Sequence, residues 1–250
     1  MRTPHQLVHS RARVRPRYAL LPLEGFPASR LPGWPDCEAR ILASPALGAK
    51  FVQMLIDIPP GKGWGQGEAG TQVFGFVLSG GTRIRLNERN ETLGADGFFF
   101  ATEGDEWRIV ADEPSKLLLL EKRYEQHDLK GPQPEAIISA VADVPANPWG
   151  GTEHARLQTL LPDTLAYDMA MNIFTFDPGF GLPVVETHVM EHGLYFLEGK
   201  GLYYLDGEWM EVERDDFIWM GPYCPQSFYA TGPTPARYLY YKNVNREIPL

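Results

Sequence analysis

The chain has 250 residues, a formal net charge of −9 at pH 7 and only two cysteines. This length allows one large domain or two domains of about 125 residues each. An acidic balance without a basic stripe excludes nucleic acid as an expected partner, and no apolar run approaches the ~18–20 residues that span a membrane. Two cysteines provide no disulfide framework, so we expect a cytoplasmic protein.

Residues 1–50 are rich in proline and irregular in pattern. We predict an N-terminal arm that covers an edge strand or packs on a partner subunit. The apolar stretch that follows the arginines near its start is short and is broken by Pro22. This is not the pattern of a signal peptide.

Residues 51–124 contain short runs of strand-forming residues separated by turn signals. The run from Phe51 to Ile58 ends at Pro59-Pro60-Gly61, and the run from Val73 to Leu78 ends at Ser79-Gly80-Gly81. The whole chain has 12% aromatic residues, 25 Gly and 22 Pro, a mixture that favours strands over helices. We therefore predict that residues 51–124 form an all-β barrel or sandwich.

Residues 125–165 are polar and contain several prolines, which predicts a linker. From residue 166 the earlier pattern returns and continues to residue 250. Residues 192–199 match residues 73–80, and residues 216–220 match residues 97–101, both at an offset of 119 positions. This repetition indicates an internal duplication, in which residues 51–124 and 166–250 are two copies of one β-domain.

Three side chains that bind metals well, Glu186, His188 and His192, fall within seven residues. Glu186 and His188 are two positions apart, so on a strand they point to the same face. Two imidazoles and a carboxylate around one point make a metal site with open positions, suited to Mn, Fe, Zn or Ni. Two alternatives stay open: Glu191 could replace His192, or the cluster could be a polar strand face.

The two copies differ in these residues. Positions 119 before Glu186, His188 and His192 hold Gly67, Ala69 and Val73, none of which can bind a metal. We therefore predict one site in each chain, in the C-terminal half. A further ligand from a distant strand is offered by Gln226, whose counterpart in the first copy is Trp107.

The spacing of these residues resembles the first motif of the cupin superfamily, Gly-(x5)-His-x-His-(x3,4)-Glu-(x6)-Gly. The spacing holds from Glu186 to Gly199, but the identities are permuted, with Glu first and His third. The second motif, Pro-x-Gly-x-x-His-(x3)-Asn, is degenerate. Its four positions hold Gly221, Tyr223, Gln226 and Ala230.

The permuted order, Glu-Thr-His-Val-x-Glu-His-Gly with a later Gln, resembles the bicupin (S)-ureidoglycine aminohydrolase family over almost the whole chain. The resemblance includes Gly48-Ala49, the run from Asp168 to Asn172, and the run from Tyr240 to Arg246. It implies an all-β bicupin with two tandem double-stranded β-helix (jelly-roll) barrels behind the Pro-rich arm. It also implies a homo-oligomer.

The activity implied by the resemblance is hydrolysis of a C–N bond of the amidine type. The enzyme would use Mn2+, or another divalent metal, to convert (S)-ureidoglycine to (S)-ureidoglycolate and ammonia in purine (allantoin) catabolism. Two other functions remain possible. One is a different metal-dependent bicupin enzyme, such as a dioxygenase or a sugar isomerase, although these usually keep three His and a Glu. The other is a non-catalytic bicupin that binds a small molecule.

The resemblance also assigns roles to individual residues. The implied metal ligands are Glu186, His188, His192 and Gln226. The implied substrate contacts are Tyr203, Tyr238 and Lys242, together with Glu186 and Gln226. The implied catalytic residues are Glu186, Tyr238 and Lys242. Tyr238 and Lys242 are four positions apart, so on one strand they share a face.

Overall fold

The computed structural model describes residues 11–65, 70–127 and 132–246. The chain forms two compact units. We call Pro27–Asp143 the N-terminal unit, and Met1–Phe26 together with Val144–Leu250 the C-terminal unit. Within the described residues no α-helix forms, so the predicted all-β class is confirmed. No helix in this part of the chain is long and apolar enough to cross a membrane.

The strands are numbered in chain order. They are β1 (Arg13–Val14), β2 (Tyr18–Leu21), β3 (Glu38–Ala43), β4 (Val52–Ile58), β5 (Gly63–Trp64), β6 (Thr71–Ser79), β7 (Thr82–Leu86), β8 (Arg89–Leu93), β9 (Gly97–Ala101), β10 (Trp107–Ala111), β11 (Ser115–Arg123), β12 (Ile137–Ala140), β13 (Asn147–Trp149), β14 (Thr152–Thr159), β15 (Met169–Phe176), β16 (His192–Glu198), β17 (Lys200–Leu205), β18 (Glu208–Glu213), β19 (Phe217–Met220), β20 (Gln226–Ala230) and β21 (Ala236–Asn243). Three short 3-10 helices lie at Leu23–Gly25, Pro45–Leu47 and Val141–Asp143.

The N-terminal unit contains two antiparallel sheets. Their strand orders are β12-β9-β6-β11-β4-β3 and β5-β10-β7-β8. In β7 the residues alternate strictly between buried and exposed, because one face of the sheet packs on the core and the other meets solvent. Apolar side chains from both sheets, including Ile56, Ile84, Phe99 and Trp107, form one cluster between them.

The C-terminal unit repeats this arrangement. Its sheets have the orders β1-β2-β19-β16-β21-β15-β14-β13 and β18-β17-β20. The run β19-β16-β21-β15-β14 corresponds to β9-β6-β11-β4-β3 of the N-terminal unit. The register agrees as well, since His192 pairs with Met220 where Val73 pairs with Ala101. Matching strand order and register in both units confirm the bicupin architecture.

The boundaries of the predicted arm, residues 1–50, are corrected by the structure. Strand β2 pairs with β19 in the C-terminal unit, whereas β3 pairs with β4 in the N-terminal unit. The segment is therefore divided between the two units at Phe26 and Pro27. Only part of the arm prediction is tested, because residues 1–10 lie outside the described residues.

The predicted linker, residues 125–165, also belongs to the sheets where it is described, which excludes residues 128–131. Strand β12 pairs with β9, and β13 and β14 extend the sheet beyond β15. As a result the first barrel does not end at residue 124, and the second does not begin at residue 166. The strands β2 and β12 are 119 positions apart, the same offset as the barrels. β12 is the edge strand of its sheet, whereas β2 is next to the edge, with β1 beyond it.

Candidate metal centre

The predicted ligands are presented by three different parts of the C-terminal unit. His192 is the first residue of β16, Gln226 is the first residue of β20, and Glu186 and His188 lie in the loop between β15 and β16. The strand predicted for Glu186 and His188 is therefore wrong. The loop is fixed instead by a two-residue bridge, in which Glu186 N donates to Gln226 O at 2.8 Å and Gln226 N donates to Glu186 O at 2.9 Å. Directly opposed residues place their side chains on the same side.

Three of the four predicted ligands meet at one point. The Nε2 atoms of His188 and His192 are 3.3 Å apart. The side-chain amide nitrogen of Gln226 lies 3.0 Å from Nε2 of His188 and 3.1 Å from Nε2 of His192. The backbone carbonyl of Tyr241 lies 3.1 Å from Nδ1 of His192. A proton held on Nδ1 by that carbonyl leaves the Nε2 lone pair of His192 directed at the cluster.

This donor set fits a metal ion. Two nitrogens that bind one ion at right angles lie about 3 Å apart, as the two imidazoles do here. A side-chain amide binds metals through its oxygen, so Gln226 would have to turn its amide group over. The amide oxygen and nitrogen are nearly equal in shape, and the hydroxyl of Tyr203, which now donates to Gln226 Oε1 at 3.2 Å, can also accept from the amide nitrogen.

Glu186 lines the same cavity, but its place in the ligand set stays a prediction. In the part of the chain that the structure describes, no three His, Cys, Asp or Glu side chains are grouped to hold a metal. Burial raises the pKa of Glu186, and the positive charge of Lys242 opposes that rise. The cavity therefore contains a carboxylate that is easier to protonate than one in water.

Both imidazoles are held in the neutral form. Burial lowers the pKa of His188, and Lys242 lowers it further. Burial, followed by the neighbouring His188, lowers the pKa of His192 to about 3. Since only neutral imidazole can bind a metal, both side chains are ready to act as ligands at neutral pH.

The alternative ligand Glu191 does not face this cluster. Its carboxylate accepts a hydrogen bond from the indole nitrogen of Trp219 at 3.4 Å, and its backbone nitrogen donates to Asn243 Oδ1 at 2.7 Å. Consecutive residues at the start of a strand point to opposite faces, so His192 turns into the barrel and Glu191 away from it. The structure therefore places His192, and not Glu191, beside His188, and the assignment of His192 as a ligand stays a prediction.

A cavity of about 480 Å3 opens beside the cluster. All of the predicted substrate contacts line it: Glu186, Tyr203, Gln226, Tyr238 and Lys242. Lys242 pairs directly with His192 across β21 and β16, which places the ammonium beside the imidazoles. Tyr203 and Tyr238 are buried deeper, with ring centroids 6.2 Å apart. Burial raises the pKa of both phenols, so they remain hydrogen-bond donors.

The sequence interpretation missed several residues that line the cavity. Asn172 and Tyr240 are buried within strands, while Trp149, Leu157 and Thr159 come from the segment predicted as linker. Tyr240 lies two positions from Tyr238 on one strand, so the period of two was a usable signal. Burial raises the pKa of Tyr240 as well. No signal in the sequence placed the linker residues near the site.

The N-terminal unit has apolar side chains at the corresponding positions. Trp107 pairs with Leu86 as Gln226 pairs with Leu205, and Val73 occupies the place of His192. Trp107 and Val73 are both part of the apolar core. The other two predicted counterparts, Gly67 and Ala69, lie outside the described residues.

Known proteins resemble this chain in sequence and in structure. Residues 172–241 match the Cupin domain family. The chain is 33% identical to the (S)-ureidoglycine aminohydrolase of Escherichia coli (strain K12), over 93% of this chain and 90% of that protein. It is 35% identical to a probable (S)-ureidoglycine aminohydrolase of Oryza sativa subsp. japonica, over 92% and 74%. The crystal structure of protein Ylba from E. coli superposes with a TM-score of 0.87 at 31% identity, covering 99% of this chain and 100% of that one.

Proposed function

The chain belongs to the (S)-ureidoglycine aminohydrolase family, and from this we propose that it hydrolyses (S)-ureidoglycine to (S)-ureidoglycolate and ammonia in purine catabolism. The observation that carries the proposal is the convergence of His188, His192 and Gln226 beside Lys242 in one cavity. The substrate is small and carries a carboxylate, an amine and a planar ureido group. The cavity offers a cation, neutral metal donors and phenolic hydroxyls for these groups.

We propose Mn2+ as the resident metal, held by His188, His192, Gln226 and Glu186. Two imidazoles combined with two oxygen donors suit manganese, although zinc and copper bind most such sites more tightly. When bound, the ion supplies Lewis acidity to the substrate. The total charge of one carboxylate and one divalent ion is about +1, which favours an anionic ligand.

The side chains of the cavity supply the remaining chemistry. Lys242 binds the substrate carboxylate through a charge-assisted hydrogen bond. Glu186, whose pKa is raised by burial, accepts a proton from the attacking water and passes it to the departing nitrogen. The C–N bond breaks, a C–O bond forms, and the nitrogen leaves as ammonia. This sequence describes direct displacement. In elimination followed by hydration, Glu186 would take the proton from the ureido N–H, deliver it to the departing nitrogen, and water would add to the resulting imine afterwards.

The proposal is tested with protein that has been stripped by a chelator and reloaded with Mn2+. Ammonia release is measured from freshly generated ureidoglycine. We expect the wild-type protein to release ammonia, and His188→Ala to lose both bound metal and turnover. His154→Ala is the matched control, because His154 is an exposed histidine of the same unit that bonds Asp177 outside the cavity.

Two outcomes would contradict the proposal. Manganese-loaded wild-type protein that releases no ammonia would exclude this activity, and iron content with oxygen uptake would favour a dioxygenase instead. Undiminished turnover in His188→Ala would exclude the assigned site.

We also propose that the protein acts as a homo-oligomer in the cytoplasm. The family resemblance supports the first part. The second is supported by Cys37 and Cys224, which are both buried and unbridged, as is usual in a reducing compartment. Light scattering on the purified full chain measures the subunit number directly, and a monomer at micromolar concentration would contradict the first part.

A further inference from the structure

Three polar side chains lie next to one another on the inner face of the large sheet of the C-terminal unit. Thr159 of β14 pairs directly with Asn172 of β15, and Asn172 pairs directly with Tyr240 of β21. Directly opposed residues of an antiparallel pair place their side chains together on one face. All three line the cavity, and we call them the polar row.

The polar row lies two residues along the strands from the level of His192. Tyr240 is two positions from Lys242 on β21, so the two side chains share a face and are about 7 Å apart along the strand. Lys242 pairs directly with His192. The ring of Tyr240 meets the ring of His192 edge-on, with centroids 5.7 Å apart. A small molecule held at Lys242 therefore extends its other end towards Tyr240.

The hydrogen bond within the row fixes which atoms can serve a ligand. Asn172 Nδ2 donates to the hydroxyl oxygen of Tyr240 at 3.2 Å. Because this oxygen accepts from Asn172, the hydroxyl proton of Tyr240 is directed elsewhere and can be donated into the cavity. Asn172 is only 4% exposed, and its Oδ1 is buried with no hydrogen-bond partner among the described residues.

The N-terminal unit shows that the fold does not need this row. The corresponding pairing positions hold Ile41, Met54 and Leu119, because Ile41 pairs with Met54 and Met54 with Leu119. Met54 and Leu119 are part of an apolar core. Burying Asn172 with an unpaired acceptor is less favourable than apolar packing, so this member of the polar row carries a free-energy cost that the same fold avoids at Met54.

We propose that the polar row is the subsite for the planar ureido group of the substrate, with Tyr240 donating to the ureido carbonyl oxygen and Asn172 positioning Tyr240. This rests on the proposed function, since it identifies the second end of the same substrate. The ureido group presents one carbonyl acceptor and several N–H donors, whereas the carboxylate belongs at Lys242. Because Lys242 and Tyr240 are separated along β21, the carboxylate end and the ureido end of the substrate contact different residues.

The test measures binding with stable ligands in manganese-loaded protein by calorimetry. N-Carbamoylglycine carries a carboxylate and a ureido group, and glycolate carries a carboxylate and a hydroxyl but no ureido group. Tyr240→Phe should weaken binding of N-carbamoylglycine about tenfold, the worth of one hydrogen bond, and change glycolate binding less than about twofold. Tyr229→Phe is the matched control, because Tyr229 is an exposed tyrosine of the same unit and does not line the cavity.

Asn172→Met introduces the residue that the N-terminal unit has at the corresponding position. This variant distinguishes a role of Asn172 in positioning Tyr240 from a role in packing alone. We expect N-carbamoylglycine affinity to fall as in Tyr240→Phe, with no further loss in the double variant, because the two residues act together. The melting temperature should stay equal or rise, since an unpaired buried acceptor is removed. A purely structural role predicts a lower melting temperature and equal losses for both ligands.

Failure of this inference is distinct from failure of the proposed function. Ammonia release by the wild type with unchanged N-carbamoylglycine binding in Tyr240→Phe would overturn the subsite alone. Parallel loss of both ligands in Tyr240→Phe would overturn it as well. No ammonia release, combined with a selective loss of N-carbamoylglycine binding in Tyr240→Phe, would support the subsite and exclude the proposed reaction.

Discussion

The strongest test of the fold is removal of Arg11, which joins the N-terminal segment to the rest of the C-terminal unit. Arg11 donates to both carboxylate oxygens of Asp216, at 2.5 and 2.9 Å, and its Nη2 donates to Glu213 at 2.9 Å. The side chain of Asp216 is only 2% exposed, while that of Arg11 is 30% exposed. In Arg11→Ala the carboxylate of Asp216 would stay buried. Among the described residues, the backbone nitrogen of Glu213 would be its one remaining hydrogen-bond donor.

The magnitude follows from this burial. Removing one partner of a fully buried ion pair costs ~3–5 kcal/mol, and the partial exposure of Arg11 reduces this to about 2–3 kcal/mol. Burial already raises the pKa of Asp216, and loss of Arg11 raises it further. A carboxyl group whose folded pKa is raised favours folding at low pH and loses that advantage as pH rises through the folded pKa. The loss of unfolding free energy caused by Arg11→Ala is therefore largest at neutral pH and becomes smaller in acid.

Urea unfolding of Arg11→Ala at pH 7 and at pH 4 measures both effects. With a slope of ~2 kcal/mol per molar urea, the transition of the C-terminal unit should move down by about 1 M at pH 7. Arg13→Ala is the control, because the side chain of Arg13 is exposed and, among the described residues, donates only to the neighbouring Ala12 O. A shift in Arg11→Ala no larger than in Arg13→Ala, or a deficit that grows in acid, would refute the reasoning.

Three further predictions concern the turn before Gln226, the carboxylate of Asp177 and the predicted metal ligands. Tyr223 has a φ of +60°, where the cupin motif has Gly, so Tyr223→Gly should be nearly neutral in thermal melts while Tyr223→Val costs about 1–2 kcal/mol. Arg156, followed by His154, lowers the pKa of Asp177 to about 2. Asp177→Asn should therefore cost about 1–2 kcal/mol at pH 7, a deficit that vanishes as pH falls from about 4 to about 2, measured by urea unfolding. Gln226→Ala should weaken Mn2+ binding at least ~10-fold in a metal titration, whereas Tyr229→Ala should not.

The sequence was sufficient to predict the duplicated β-domain because both copies repeat aromatic strands and turn signals at a constant offset. It was not sufficient for the short strands at and near the sheet edges. Strand β2 has only four residues between Pro16 and Pro22, and β13 contains Pro148. A strand this short has too few alternating positions to show its period, and proline argues against a central strand. These segments form strands because neighbouring edges are available, which is information from tertiary structure.

Part of the candidate site could also be predicted from a sequence pattern, and part of it could not. The motif spacing predicted His188 and His192 as metal ligands, and in the structure the side-chain amide of Gln226 lies against both. Asn172 was missed because its strand, β15, is buried on both faces over most of its length. When both faces are buried, alternation of apolar and polar residues no longer marks the face that lines a cavity. The register between strands was needed to identify that face.

The two units show how one fold supports either a filled core or a working cavity. In the N-terminal unit Gly75 pairs with Phe99, and a side-chain carbon on Gly75 would overlap the Phe99 ring. Phe99 also packs on Trp107, with ring centroids 5.3 Å apart, so aromatic rings fill the space that Gln226 and its neighbours line in the C-terminal unit. Replacing Val73 and Trp107 by ligand residues would therefore leave donors inside a filled barrel. The cavity depends on the absence of these rings as much as on the presence of His188 and His192.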